Sequence, residues 1–461
     1  MALGAVVVAA AVLRLATLDL QSFWLDEAST VQALDGSFGH LWHRLTQIEA
    51  APPLYFVVAW AWGKVFGLGE VGLRSLSALF GIATVPVAWA LGRRLAPAGR
   101  REAVGLLAAA LAATSPFLIW FSQEARPYAL LTLLTATATL CFVLALQSEP
   151  ERRPLVLWGL AAAGAVMTHY FAVFFLVPQA AVLGLRLGRR AIPGLAIPAA
   201  TGLALVPLVL AQGDTRVTWV SGSSLSSRAA DVAKHWVAGP FGTSAHLVGL
   251  LALTLLAIGV VLSATRRSGV LVTVIATTAA ALALPVLTAL AGPDYVLDRY
   301  LIPGLVPLLV LAAVGLAQRP PLLAAGAGLA LLFGAFAIET DGDRQRQRED
   351  WRGASRDLAA GAVVVSRDGD PPLHVYRPRI RPLIAPTPVR NVTLVASWRF
   401  GRPRPVAPPP PGPGFALAGR RDDPTMTILR YTAAAPQAVD PGALAALALT
   451  PGETPVVLRL P

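Results

Sequence analysis

The residues best suited to chemistry in this chain are charged and aromatic side chains at the edges of long apolar runs. Phe23-Trp24-Leu25-Asp26-Glu27-Ala28 directly follows the first of these runs. Ionisable groups at a membrane edge are costly to keep there, which makes a carboxylate pair a functional candidate. Neighbours on a helix point about 100° apart, so Asp26 and Glu27 cannot face one target together. One is expected to act on substrate while the other orients a loop or binds a partner residue. A carboxylate in this position can take a proton from an attacking hydroxyl, general-base work that contributes typically ~100- to 10,000-fold. Alone, the pair fits a plain solvated helix start equally well.

A second cluster, Ser122-Gln123-Glu124-Ala125-Arg126-Pro127-Tyr128, precedes another apolar run. Pro127 suits the first turn of a helix and pushes Arg126 out of helical geometry. Arg126 then sits at a helix N-terminus, where unpaired N–H groups and the dipole favour anions. Its guanidinium fork adds bidentate phosphate binding. A structural Glu124–Arg126 pair anchoring the loop is the competing reading. Asp298-Arg299-Tyr300 repeats the arrangement before Pro303, with ordinary interfacial anchoring as its alternative. His169 and Tyr170 fall at the tip of a tight helix pair. The six histidines show no metalloprotease or zinc-finger spacing; a carboxylate-bound divalent ion near Asp26 stays open, and no cofactor is otherwise indicated. Trp24 and Trp42 can pack on a sugar.

What positions these groups is a membrane scaffold. Of 461 residues, 55% are hydrophobic and only 14% charged, against roughly 25% charged in soluble domains; mean hydropathy is +0.61. The net charge of +12 comes largely from Arg clusters between apolar spans, which orient helices. Nothing resembles a DNA- or RNA-reading module, and nucleic acid is rejected as a partner. The single Cys141 lies in an apolar span, ruling out an internal disulfide.

Apolar spans are expected at about 2–19, 71–92, 103–120, 127–147, 154–168, 170–187, 191–211, 246–264, 270–291, 300–317 and 321–338. Arg93, Arg94, Arg100 and Arg101, then Arg152 and Arg153, then Arg186, Arg189 and Arg190, then Arg266 and Arg267, then Arg319 follow alternate spans. One threading puts all of them in the cytoplasm, with about eleven crossings, a cytoplasmic N-terminus and an outer C-terminus. Residues 53–67 are too short for that threading and are read as a re-entrant or interfacial helix after Pro52-Pro53. Asp26, Glu27, Glu124, Arg126, His169, Tyr170, Asp298 and Arg299 then share the outer face. That convergence is the argument for a site.

Residues 1–339 are thus expected to form an all-α polytopic membrane domain, and 340–461 a small outer α/β domain. In the latter, Ala362–Ser366, Asn391–Ala396, Met426–Tyr431 and Pro455–Leu460 read as strands. Residues 340–357 are charged and helix-friendly, and 402–414 form a Pro-rich linker or loop. Asn391-Val392-Thr393 matches a glycosylation sequon but is read as strand sequence.

Taken in order, these motifs resemble a known family. Trp24-Leu25-Asp26-Glu27-Ala28 is similar to the acidic first-outer-loop motif of GT-C glycosyltransferases, in the protein O-mannosyltransferase-like and aminoarabinose-transferase-like branch (glycosyltransferase family 39). Ala51-Pro52-Pro53-Leu54-Tyr55 resembles its Pro-Pro-x-Tyr segment, and Arg74-Ser75-Leu76-Ser77 its Arg-x-x-Ser helix. Glu124-Ala125-Arg126-Pro127-Tyr128, Arg299-Tyr300-Leu301 and Glu349-Asp350-Trp351-Arg352 resemble further landmarks. The resemblance implies a bacterial plasma-membrane enzyme that moves a sugar from a polyprenyl-phosphate donor to a lipid, glycan or protein acceptor on the outer face. Asp26 matches the family's catalytic-base position, and Arg126 falls in its second outer-loop motif. One inverting displacement is expected, with Arg126 and Arg299 on the leaving phosphate. Trp24, His169, Tyr170 and Tyr300 are candidate substrate contacts, and Glu124 and Tyr128 candidate donor contacts. The large lumenal insert of the eukaryotic mannosyltransferases is missing, which leaves the acceptor open. A flippase for lipid-linked sugars and a non-catalytic envelope scaffold are the alternatives; the missing internal repeat and one-sided polar groups argue against the first.

Overall fold

The computed structural model describes residues 1–147, 152–213, 223–240, 246–266, 268–292, 294–397, 404–449 and 453–461. Arg267, residues 402–403 of the Pro-rich segment, and 214–222 and 241–245 of the expected outer loop lie outside them, as does the side chain of His246. The chain forms two compact units, Met1–Leu18 with Leu34–Thr340, and Asp19–Ala33 with Asp341–Pro461.

The first unit is helical. Its elements in chain order are α1 (Ala2–Leu15), the end of α2 (Leu25–Leu34), α3 (Phe38–Gln47), α4 (Leu54–Phe66), α5 (Glu70–Leu95), α6 (Arg101–Thr114), α7 (Pro116–Ser122) and α8 (Tyr128–Gln147). There follow α9 (Arg152–Thr168), α10 (Ala172–Leu187), α11 (Ile192–Gln212), α12 (Leu225–Ala238), α13 (His246–Ala264), α14 (Gly269–Ala291), α15 (Leu305–Leu316) and α16 (Pro320–Gly342). Each expected apolar span is helical, and the apolar faces are those of a multi-pass membrane protein. Six described helices are long and apolar enough to cross alone, or seven if α6 and α7 make one bent span. The figure of eleven crossings therefore rests on the Arg clusters, not on helix length. One of the six is the continuous stretch 172–212, which unbroken would run about 60 Å, twice the hydrocarbon core. Gly188, at φ +54°, breaks it into α10 and α11, because a left-handed residue cannot continue the helix.

The expected span 103–120 is not one helix but two, α6 and α7, bent by 56°. Pro116 has no N–H, so it leaves the Ala112 carbonyl without its helical donor. Arg14, fully buried on α1, fills the gap: Nη2 donates to Ala112 O (3.1 Å) and Nη1 to Ala113 O (2.7 Å). Its Nε donates to Ser122 Oγ (3.3 Å), while Gln123 Nε2 donates to Leu13 O and Thr17 Oγ1. A buried cation at this depth is tolerated because these carbonyls take its protons. The same bonds latch α1 to the α6–α7 break and fix where the 123–128 motif begins.

The second unit is a six-stranded sheet with short helices. Its strands are β1 (Gly361–Ser366), β2 (Arg381–Pro382), β3 (Thr387–Ser397), β4 (Phe415–Asp422), β5 (Met426–Val439) and β6 (Pro455–Leu460), in the order β2-β6-β1-β3-β5-β4. β1 and β3 are parallel, and every other pairing is antiparallel. Alternation along the strands sends Val364, Leu394 and Leu429 to one core and Val363, Val395 and Ile428 to the other, the latter beneath Trp351. Helices α17 (Trp351–Arg356), α18 (Asp370–Tyr376) and α19 (Pro441–Ala445) complete the unit. All four expected strands are present. The sequence reading missed β2, two residues long, and β4, an exposed edge strand whose Arg420, Arg421 and Asp422 hide the strand pattern while discouraging edge pairing. Asn391 serves β3: its Nδ2 donates to Ala360 O (2.9 Å), and its Oδ1 accepts from Thr432 Oγ1 (3.0 Å).

Candidate active site

The acidic motif belongs to the second unit. Segment 19–27 is pinned there by the residues around α17. Ser22 Oγ donates to Glu349 O (2.7 Å) and accepts from Trp351 N (3.0 Å). Gln21 Oε1 accepts from Arg348 N, and Arg352 Nη2 donates to Asp19 O. Phe23 N donates to the Tyr376 hydroxyl (2.7 Å), and Gln32 Nε2 to Pro371 O. Helix α2 then starts at Leu25, placing Asp26 and Glu27 in its first turn, where the dipole favours negative charge.

The two acids part company at once. Glu27 is fully buried and faces Arg348 Nη1 across 3.6 Å, whereas Asp26 is half-buried. Arg348 is itself buried and lies 5.3 Å from the Trp24 ring, a cation–π contact. Sequence reading passed over Arg348. Its one signal is a place in the charged run just before Glu349-Asp350-Trp351-Arg352.

The first unit gathers the other candidates. Tyr128, His169 and Tyr300 form an aromatic group, with His169 5.9 Å from the Tyr128 ring and 5.4 Å from that of Tyr300. Phe171 joins it, 4.7 Å from Tyr300 and 5.3 Å from His169. Burial, then the nearby cations Arg126 and Arg299, push the His169 imidazole down to about 3; it is neutral at physiological pH. Arg299 also lies over the Tyr300 ring at 5.7 Å. So Arg126, Arg299, Tyr128, His169 and Tyr300 share one neighbourhood, with Glu124 buried in the turn before Arg126.

Further residues hold these cations. Arg126 Nη1 is 3.9 Å from Glu49 Oε2, a partner the sequence reading did not name. Ser77 Oγ donates to Arg126 O (3.4 Å) and receives the Tyr55 hydroxyl (3.1 Å). Three motifs far apart in sequence, around Tyr55, Ser77 and Arg126, thus meet. On the other side Asp298 Oδ1 accepts from Arg299 N (2.7 Å), while Oδ2 bonds His235 Nδ1 (2.6 Å). Arg228 grips Asp294 with two bonds, 2.7 and 2.5 Å. Helix α12 thereby clamps the stretch of chain that carries Arg299. Tyr170 is engaged elsewhere. Its hydroxyl donates to Gln212 Oε1 (2.8 Å), and Gln212 Nε2 holds Leu45 O and Ala51 O. Among the described residues, no three His, Cys, Asp or Glu side chains are grouped to hold a metal ion.

Solved structures share this fold. ArnT from Cupriavidus metallidurans, solved bound to undecaprenyl phosphate, superposes with a TM-score of 0.59 at 13% identity, over 93% of this chain and 97% of that one. Its apo state gives 0.60, also at 13% identity and with the same coverage. The arabinofuranosyltransferase AftD from Mycobacteria gives 0.50 at 17% identity, over 94% of this chain and 40% of that one. No curated protein sequence matches the chain. The chain shares the fold of these GT-C membrane glycosyltransferases. Residues 50–211 match the family model described as dolichyl-phosphate-mannose-protein mannosyltransferase.

Proposed function

We propose that the chain transfers a sugar from a polyprenyl-phosphate carrier to an acceptor hydroxyl on the outer face of a bacterial plasma membrane. The observation that carries this reading is the pair of guanidinium groups, Arg126 and Arg299, beside a neutral, desolvated His169 in the helical unit. Cations in a dry pocket stabilise charge that develops on a departing phosphate, commonly the largest catalytic contribution. ArnT, which shares the fold, was solved with undecaprenyl phosphate bound, in keeping with a lipid-phosphate donor.

The reaction is one inverting displacement. The acceptor oxygen attacks the anomeric carbon from the face opposite the phosphate, and the new C–O bond forms as the bond to the phosphate oxygen breaks. The hydroxyl proton passes to an Asp26 carboxylate oxygen, and polyprenyl phosphate leaves with the bonding electrons, its charge held by Arg126 and Arg299. Glu27 acts differently: paired with Arg348, it fixes the start of α2 and hence the position of Asp26. Tyr128, Tyr300 and neutral His169 offer ring faces and hydrogen bonds to the donor, and Trp24 a face for the sugar. The termini follow the Arg clusters, N-terminus inside and C-terminal unit outside.

Membranes carrying wild-type or Asp26→Asn protein, given a panel of radiolabelled polyprenyl-phosphate sugars and envelope extract, test the reading. Transfer by wild type and a fall of ~100- to 10,000-fold in the variant, at unchanged melting temperature, are expected. Equal transfer by both proteins would remove Asp26 from the mechanism.

A further inference from the structure

The second unit holds another charged site, which shares Arg348 with the acidic motif. A cavity of about 210 Å³ is walled by Arg344, Arg348, Arg352, Arg356 and Arg421 against two acids, Asp350 and Asp423. The first four arginines recur every fourth residue, and Arg352 and Arg356 share a face of α17. Both acids already serve the backbone. Asp350 caps α17 through Gly353 N (2.8 Å), and Asp423 accepts from Thr425 N (3.1 Å) and Met426 N (2.8 Å). Arg348 faces Glu27, and Arg421 bridges Asp357 and Asp423; these two build the wall. Arg344 and Arg356 stand exposed at its rim. A neighbouring cavity of about 430 Å³ shares Arg356 and Arg421 and adds Arg420 and Arg430, so the basic surface continues as a groove.

The lining narrows the ligand. Guanidinium forks fit phosphate and carboxylate oxygens. Only Leu20 and Pro424 bring apolar side chains to the first cavity, and Gln347 and Thr425 add polar ones, which suits hydroxyl groups rather than acyl chains or apolar side chains. At roughly 30 Å³ per water, the space also exceeds what one inorganic oxyanion fills. We propose that this groove binds an acidic carbohydrate, a glycan bearing phosphate or uronate groups. Resting on the transferase reading above, that glycan is the acceptor.

The full-length protein in zwitterionic nanodiscs, with no sugar donor present, is titrated with tetragalacturonate, a phosphorylated mannose oligosaccharide, its dephosphorylated counterpart and inorganic phosphate. At least one acidic oligosaccharide should bind and weaken with added salt, and the preferred probe identifies the anionic group. The Arg344→Ala/Arg356→Ala double variant, both positions exposed, should lose roughly tenfold or more in affinity at unchanged melting temperature. Equal binding of the neutral sugar, or unchanged affinity in the variant, would overturn the proposal. Inorganic phosphate binding as tightly as the oligosaccharides would reduce the groove to an anion site and overturn the carbohydrate assignment. Because no donor is present, failure here leaves the transfer reading standing. Loss of transfer with glycan binding intact counts only against that reading.

Discussion

In the second unit Glu27 lies fully buried against Arg348, a carboxylate facing a guanidinium. In the first unit Arg126 and Arg299 both press on one imidazole, that of His169. The two arrangements use the same residue types for different ends. An opposite-charge pair in a dry place is held by its own complementarity, and removing one member strands the other. Two cations around a neutral ring, even with Glu49 facing Arg126, can stabilise an arriving anion. On this contrast we propose that Glu27–Arg348 shapes the fold around Asp26, and that Arg126 with Arg299 meets substrate.

Substitutions can break the contrast. Arg126→Ala and Arg299→Ala, each measured for transfer and for melting temperature, should lower transfer by ~100- to 1,000-fold, and Arg126→Ala should also lower stability because it removes a partner of Glu49. If they unfold the protein instead, these cations are structural as well. Glu27→Gln should do the reverse: a loss of about 3 kcal/mol in stability from removing the carboxylate that faces Arg348, read by denaturant or thermal unfolding. Combining it with Arg348→Met should restore much of that stability, because an apolar pair can replace a buried ionic one. A Glu27→Gln protein with wild-type stability and no activity would move Glu27 into the chemistry.

A further prediction concerns pH. The His169 imidazole titrates near 3 in the folded protein against an ordinary 6.5, so folding favours its neutral form. That contribution is complete above the ordinary value and is lost as pH falls from 6.5 towards 3. Wild-type thermal stability should therefore drop across this window more steeply than that of His169→Gln. Equal slopes would mean that His169 stays hydrated, and would weaken the picture of a dry cation pocket.

Much of this architecture was legible in the chain. Runs of apolar residues dictate helices, because lipid offers backbone groups no other partners. The Val-rich runs of β1, β3, β5 and β6 dictate strands because their side chains alternate between two cores. Pro127 and Pro303 mark helix starts beside Arg126 and Arg299. Other features left weaker traces. The α6–α7 bend depends on Arg14, about a hundred positions away, supplying bonds that Pro116 cannot. β4 carries the composition of a loop because it is an edge.

By itself, then, the sequence determined a polytopic helical protein with an appended α/β unit, and it singled out Asp26, Arg126, His169 and Arg299 by residue type at span edges. The ordered motifs also pointed to the glycosyltransferase branch. Tertiary structure alone decided that segment 19–33 packs with 341–461, that Glu27 and not Asp26 is the buried member, and that Arg348 answers it. It also decided that Tyr170 bonds Gln212 and that Tyr55, Ser77 and Arg126 meet. The reason is physical: composition and periodicity report on local environment, lipid or water, core or edge. Charge pairing, by contrast, depends on contacts between residues hundreds of positions apart, and only the folded chain brings those together.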